Sequence, residues 1–346
     1  DLVLIVLLEF LDFHQVVRRW YVVSFFSFFL NDVTYALRAN HITYQPKQAS
    51  SDPRSLSIFP GGKGANQAAG VASFESKSFF IGRIGDDADA DIIQEALNGK
   101  VVDVSCMPRN SSVPSGKAFI FLEPDGSNSI VIVQGANIEG WIRDERARYL
   151  SDRECEIISN SSCLMLQREI PDEVNVEAAK VAREHDIPVL LDVGGKDTPI
   201  DPNLAPLVDI IWPNETELSN ICGGVPTDTD EDIFNAAKML REQGMKDVLV
   251  TIGEKGSIMI PFDDPDNVTR GHSYRVDSVV DTTGAGDCFR AAFATARFCD
   301  NRNVKDSLQF ASAASALLVQ RLGAMSAPSH SEIINFLSSS SSSSSS

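Results

Sequence analysis

Residues 163–192, CLMLQREIPDEVNVEAAKVAREHDIPVLLD, decide the fold. Cys163–Gln167 is a short apolar run, Val174–Glu184 carries apolar residues at helical spacing, and Pro188–Asp192 is a second apolar run. Strand, helix and strand in this order are the unit of a parallel sheet, since the chain must cross over the sheet before it can run parallel again. The alternation extends in both directions. Ser78–Ile84, Val208–Trp212 and Asp247–Ile252 read as strands, and Ala88–Leu97, Asp230–Gln243 and Val304–Val319 as helices. The expectation is an α/β fold, a mostly parallel central sheet with helices on both faces. One region departs from it: Lys117–Leu122 and Ser129–Gln134 flank Glu123-Pro124-Asp125-Gly126 and read as an antiparallel hairpin, a small β lid.

At 346 residues, 43% hydrophobic and 23% charged, the chain has the composition of a soluble globular enzyme. A net charge of -18 argues against nonspecific binding to nucleic acid or an anionic membrane, so an anionic substrate needs a local positive site. The six cysteines form no C-x-x-C pair and the five histidines do not cluster near them, which implies reduced thiols, a cytosol-like compartment and no structural zinc. The first 30 residues hold two apolar runs, Leu2–Leu8 and Trp20–Leu30, separated by Glu9, Asp12, Arg18 and Arg19. Neither run reaches the roughly 20 residues of a bilayer span. With no basic opening region and no methionine, this start is read as incomplete or abnormal. Residues 31–337 should form one domain without an internal linker or repeat, and the serine tract 338–346 a disordered tail.

Chemistry concentrates at strand ends. Gly61-Gly62-Lys63-Gly64-Ala65-Asn66-Gln67 enters a small-residue helix; it is either a pocket where backbone amides approach an oxygen-rich ligand or a tight turn with an incidental lysine. In Asp281-Thr282-Thr283-Gly284-Ala285-Gly286-Asp287, entered from the strand-like Ser278–Val280, amides at a helix start would make an anion hole. Asp287 beside it would accept a proton from an attacking alcohol; alternatively it is an acidic residue stabilised by the helix dipole. Pro213-Asn214-Glu215-Thr216-Glu217 fits a capping box, and would also place carboxylates where they could hold the water shell of Mg2+. Thr251-Ile252-Gly253-Glu254-Lys255-Gly256 is a glycine turn that either contacts a nucleotide or only reverses the chain.

The order GGKGANQ, LQREIP, PNETE, TIGEKG, DTTGAGD over residues 56 to 330 resembles the ribokinase branch of the PfkB carbohydrate kinases. The resemblance implies ATP-dependent phosphorylation of ribose, with ATP, Mg2+ and K+, and no covalent intermediate. It makes Asp287 the base, with the hole at Gly284, Ala285 and Gly286. Gly61, Gly62, Lys63, Gly64, Ala65, Asn66 and Glu169 would face the sugar. Asn214, Thr251, Ile252, Gly253, Glu254, Lys255, Gly256 and Ser312 would face the nucleotide, together with Gly286 and Asp287. Glu217 would stand near Mg2+, and Asp281, Thr283, Leu318, Arg321 and Gly323 would surround K+, mostly through carbonyls. Lid strands at 33–59 and 117–134 would exclude water and meet across a homodimer, in the cytoplasm or a plastid.

The family's ribose-gripping Gly-x-x-Asn-x-Asp is missing. Asn31-Asp32 lies one residue short of its place, without the glycine, and Asp32 is the candidate to replace it. Cys288, Arg290 and Met325-Ser326-Ala327 also depart from the family pattern. These departures keep two further readings open: a related kinase for another sugar or a nucleoside, and a catalytically weakened binding protein.

Overall fold

The computed structural model describes residues 58–122 and 128–343. Residues 1–57, including Asp32, the apolar runs and most of the first lid segment, lie outside them, as does the hairpin turn. In chain order the elements begin with α1 (Lys63–Ser73), β1 (Phe79–Ile81), β2 (Ile84–Gly85), α2 (Ala88–Gly99), β3 (Asp103–Cys106) and β4 (Arg109–Asn110). The hairpin β5 (Lys117–Leu122) and β6 (Asn128–Val133) and the short α3 (Ala136–Glu139) follow. Next come α4 (Asp152–Ser159), β7 (Leu164–Gln167), α5 (Asp172–Glu184), β8 (Val189–Asp192), β9 (Ile210–Ile211), α6 (Glu215–Ile221), α7 (Asp230–Glu242) and β10 (Asp247–Thr251). The last are β11 (Ser257–Ile260), β12 (Thr269–Gly271), α8 (Ala285–Ala294), α9 (Val304–Leu318) and α10 (His330–Ser343).

The described chain divides into two compact units. Residues 58–62, 82–96 and 107–140 make the first; residues 63–81, 97–106 and 141–343 make the second. No linker signals this in the sequence, because the chain passes between the units inside ordinary segments, once within α2. In the first unit β5 and β6 pair antiparallel from Lys117–Val133 to Leu122–Asn128, and β2 pairs with β4.

A six-stranded sheet of order β12-β11-β10-β9-β8-β7 forms the second unit's centre. Strands β7 to β10 are parallel, while β11 and β12 turn back antiparallel. Successive residues of β8 face opposite layers, as strand pleating requires. Val189 and Leu191 enter the core with Val174, Ala178, Leu218 and Leu240 from α5, α6 and α7; Leu190 enters the other with Phe289, Phe293, Leu308 and Phe310 from α8 and α9. All four β8 residues are buried, which explains an apolar run without alternation. Truncating Leu190 to Ala would cost about 2–5 kcal/mol.

Three details depart from expectation. Ser78–Ile84 is not one strand of the central sheet: it breaks into β1 and β2, which pair with β3 and β4 in separate two-stranded sheets. Ser278–Val280 forms no strand. Its β-branched pair, Val279 and Val280, stays exposed, and the Val280 and Asp281 amides donate to one acceptor, the Val319 carbonyl. The serine tract does not begin disordered: α10 continues to Ser343. Ile333, Phe336 and Leu337 anchor that helix on the core, and the hydroxyls of Ser338 and Ser340 turn back to carbonyls one turn earlier. Among the described residues no helix is long and apolar enough to cross a membrane.

Candidate active site

Five elements of the second unit, α1, β7, β8, α6 and α8, bring their polar residues together. α1 contributes Lys63, Asn66 and Gln67, all buried. From β7 and the turn after it come Gln167 and the buried Glu169. β8 ends on Asp192, a carboxylate with no exposed surface. α6 supplies Glu217, and α8 supplies Asp287 and Arg290, both buried.

Asp287 Oδ2 accepts from Asn66 Nδ2 at 2.8 Å and its Oδ1 from Gln67 Nε2 at 3.1 Å. Gln67 Nε2 also donates to Asp192 Oδ2 at 2.8 Å, and Gln67 Oε1 is held by Gln167 Nε2 at 2.8 Å. Lys63 Nζ lies 3.5 Å from Asp192 and 3.7 Å from Glu217 Oε1; the Lys63 amide donates to Glu169 Oε2 at 3.0 Å. Among the described residues Glu169 Oε1 and Asn66 Oδ1 are buried with no donor, so each is an acceptor left open there.

Burial drives the ionisations apart. It pushes the Glu169 carboxyl up to about 7, opposed by Lys63 and reinforced by Asp287 and Asp192. It also raises Asp287, where Lys63 and Arg290 counteract and Asp192 adds to the rise. At Asp192 burial acts the same way, but the Arg290 and Lys63 charges outweigh it and hold the carboxyl below its ordinary range. Lys63 loses to burial and gains more from Asp192, Asp287 and Glu217, so it remains a cation.

The start of α8 is built differently from those of α4, α6 and α7. α4, α6 and α7 open on capping boxes from Ser151, Asn214 and Thr229, whereas Gly284 at α8 has φ 76 and no side-chain cap. The Ala285 amide closes a turn onto Thr282 O at 3.2 Å, and among the described residues the Gly286 and Asp287 amides have no acceptor. A ten-residue helix thus presents open amides beside a buried carboxylate, a setting that favours an anion. A Cβ on Gly284 would lie 2.6 Å from Ala324 Cβ, so only glycine fits there.

Of the remaining sequence candidates, Asn214 is engaged as the cap of α6, exchanging hydrogen bonds with Glu217. Thr251 pairs with it across a bridge, its amide reaching Pro213 O at 3.1 Å, which puts the Ile252–Gly256 turn beside α6. In that turn Gly253 and Gly256 have φ 50 and 95, and Glu254 and Lys255 are exposed. Ser312 is buried on α9, one turn before Ser315, whose hydroxyl donates to Ala285 O at 2.7 Å. Gly61 and Gly62 precede α1, with Gly62 at φ 101. A Cβ on Gly64 would come within 2.9 Å of Gln167 Oε1, and Ala65 is fully buried.

Asp281 accepts from Thr283 N and Gly323 N, both at 2.9 Å, and so ties two loops. The Leu318 carbonyl already accepts from the Arg321 amide and the Gly323 carbonyl from Ser326, while Arg321 reaches Glu332. Among the described residues no three acidic, His or Cys side chains converge as a metal cage. A divalent ion fits only if it arrives with water and phosphate oxygens, near Glu217. Asp192, Gln67 and Gln167 were not singled out from sequence; the one signal was a carboxylate closing a wholly buried strand ahead of Gly194-Gly195.

An α/β fold with a buried carboxylate beside open amides, and two buried cations near it on helices, has the equipment to move a phosphoryl group onto an alcohol. The pfkB family carbohydrate kinase model matches residues 32–331, and the chain belongs to that family. A ribokinase of Arabidopsis thaliana is 42% identical over 280 residues, 80% of this chain and 72% of the relative. A deoxyribokinase of Salmonella typhi is 34% identical over 261 residues, 73% of this chain and 80% of the relative. The solved structure of Arabidopsis thaliana ribokinase complexed with ribose and ATP superimposes with a TM-score of 0.77 at 41% identity, covering 81% of this chain and 88% of that one.

Proposed function

We propose that this enzyme transfers the γ-phosphoryl group of ATP to the primary hydroxyl of D-ribose, giving D-ribose 5-phosphate. The observation that carries the assignment is Asp287, a buried carboxylate oriented by Asn66 and Gln67 at the mouth of the uncapped helix α8. Asp287 accepts the hydroxyl proton as the oxygen attacks, and its raised affinity for a proton suits it to that task. The Gly286 amide and the positive end of α8 face the charge that spreads over the phosphoryl oxygens, and Lys63 adds a fixed cation. Glu169 Oε1 and Asn66 Oδ1, both without donors, receive sugar hydroxyls. Asn214 and the Thr251–Gly256 turn serve the nucleotide, with Ser312 on its adenine side.

Glu217 would stand near Mg2+, which would supply charge neutralisation on the phosphates, and the loops of Asp281, Thr283 and Gly323 would hold K+. The β5–β6 hairpin takes the part of lid and dimer contact, a point that sedimentation of a variant shortened at the hairpin would check. Six unpaired cysteines support a reducing compartment, cytoplasm or plastid.

ADP formation by purified protein with Mg2+ and K+ tests the assignment, comparing D-ribose, 2-deoxyribose, fructose, adenosine and no acceptor. Ribose should stimulate turnover most, and Asp287→Asn should lower kcat by about 10²–10⁴. Preference for another acceptor would refute the ribose assignment; full activity of Asp287→Asn would remove the base.

A further inference from the structure

Arg290 lies on α8 one turn beyond Asp287 and is 4% exposed. Its Nη1 is 3.3 Å from Asp192 Oδ2; its Nη2 is 3.3 Å from Glu217 Oε2 and donates to Trp212 O at 2.9 Å. Lys63 spans the same two carboxylates from the other side, at 3.5 and 3.7 Å. Two cations and two anions therefore alternate, and each anion is shared. Asp192 Oδ2 also receives the Gln67 amide, which holds Asp287 Oδ1. One amide thus links the clamped carboxylate to the candidate base.

We propose that Arg290 is a positioning residue for phosphoryl transfer: it clamps Asp192 and Glu217 so that Lys63 and Gln67 stay fixed beside Asp287. This rests on the kinase assignment above. With Arg290 neutralised, Lys63 is the one cation among the described residues left between the two carboxylates, and the ammonium is drawn among Asp192, Glu217 and Asp287. Gln67 follows whichever way Asp192 turns. The guanidinium also lies against the open amide turn, since a Cβ on Gly286 would meet Nη1 at 2.8 Å. A buried ion network adds little net stability over apolar packing of the same shape, so its consequence here is geometric. Misplacing a reacting group by about 1 Å lowers turnover by about 10²-fold. Glu169, held through the Lys63 backbone amide rather than the ammonium, keeps its contact when the clamp is lost.

Arg290→Met and Arg290→Lys, made in the full chain and checked for folding by thermal melting, separate these effects. In Arg290→Met kcat should fall about 100-fold with the sugar and ATP KM within about threefold. Arg290→Lys, which restores charge but not the two-pronged geometry, should recover about tenfold of that loss. Unchanged kcat in folded Arg290→Met, a loss confined to KM, or a folded lysine variant no better than methionine would each overturn the role. If Arg290→Met does not fold, Arg290→Lys decides: kcat down about tenfold at constant KM supports the clamp, and wild-type kcat ends it. Wild-type enzyme with its best acceptor is the reference, so a wrong acceptor shows in the wild type alone, whereas a wrong role for Arg290 shows only in the ratio.

Discussion

Replacing Glu169 by Gln removes one buried titration beside Lys63 and should change how stability follows pH. The Glu169 carboxyl moves from its ordinary 4.5 to about 7 because burial disfavours its charge. That displacement corresponds to about 3 kcal/mol of preference for the protonated form in the folded chain. A group held more protonated when folded contributes stability that is full below its unfolded value of 4.5 and is lost as pH rises through about 7. From about pH 5.5 to about pH 8 roughly 2 kcal/mol of it should disappear in the wild type and none in Glu169→Gln. The glutamine is nearly isosteric and retains an oxygen for the Lys63 amide, so the groups that titrate in both proteins cancel in the difference. Urea unfolding of the two proteins, without ligand, at several pH values across this window gives that difference directly. A difference that does not vary with pH would refute the argument, and one that grows in favour of the wild type as pH rises would reverse its sign.

Gly284→Ala places a Cβ 2.7 Å from Ala324 Cα and forces a left-handed backbone, so it should destabilise the protein by about 2–4 kcal/mol in denaturant unfolding. Its remaining folded fraction should turn over more slowly, because the amides of α8 are displaced. Asp281→Ala leaves the Thr283 and Gly323 amides without their acceptor and should cost about 1–3 kcal/mol; stimulation of turnover by K+ over Na+ should weaken with it.

Long elements could be read from the sequence nearly to the residue, because burial on both faces or on one helical stripe leaves a continuous pattern. β7, β8, α5, α7 and α9 begin and end within two residues of expectation. The antiparallel extension β11–β12 and the pairings β2 and β4 escaped; β2, β4 and β12 hold only two or three residues, too few to show a period. Ser278–Val280 looked like a strand through its β-branched residues alone, and no neighbour pairs with it. In the site, Lys63, Asn66, Glu217 and Asp287 came from motifs, and the structure brings them together. Gln67 stood in the GGKGANQ motif without a role, and Asp192 in none, since what marks both is whom they touch across 125 residues of chain. Arg290 was visible only as an unusual residue after the glycine-rich turn; its two carboxylate partners come from β8 and α6.

Asn66 and the carboxylate it holds are 221 residues apart. At translation speeds of about 5–20 residues per second, α1 therefore waits on the order of 10–40 s before Asp287 is even synthesised. During that interval Gln67, destined for a dry interior, can gain Gln167 and then Asp192, while the Asn66 amide has water in place of Asp287. Asp287 and Arg290, one turn apart on α8, are thus the last members of this network to be made, and the four carboxylates and amides made before them wait on a single helix.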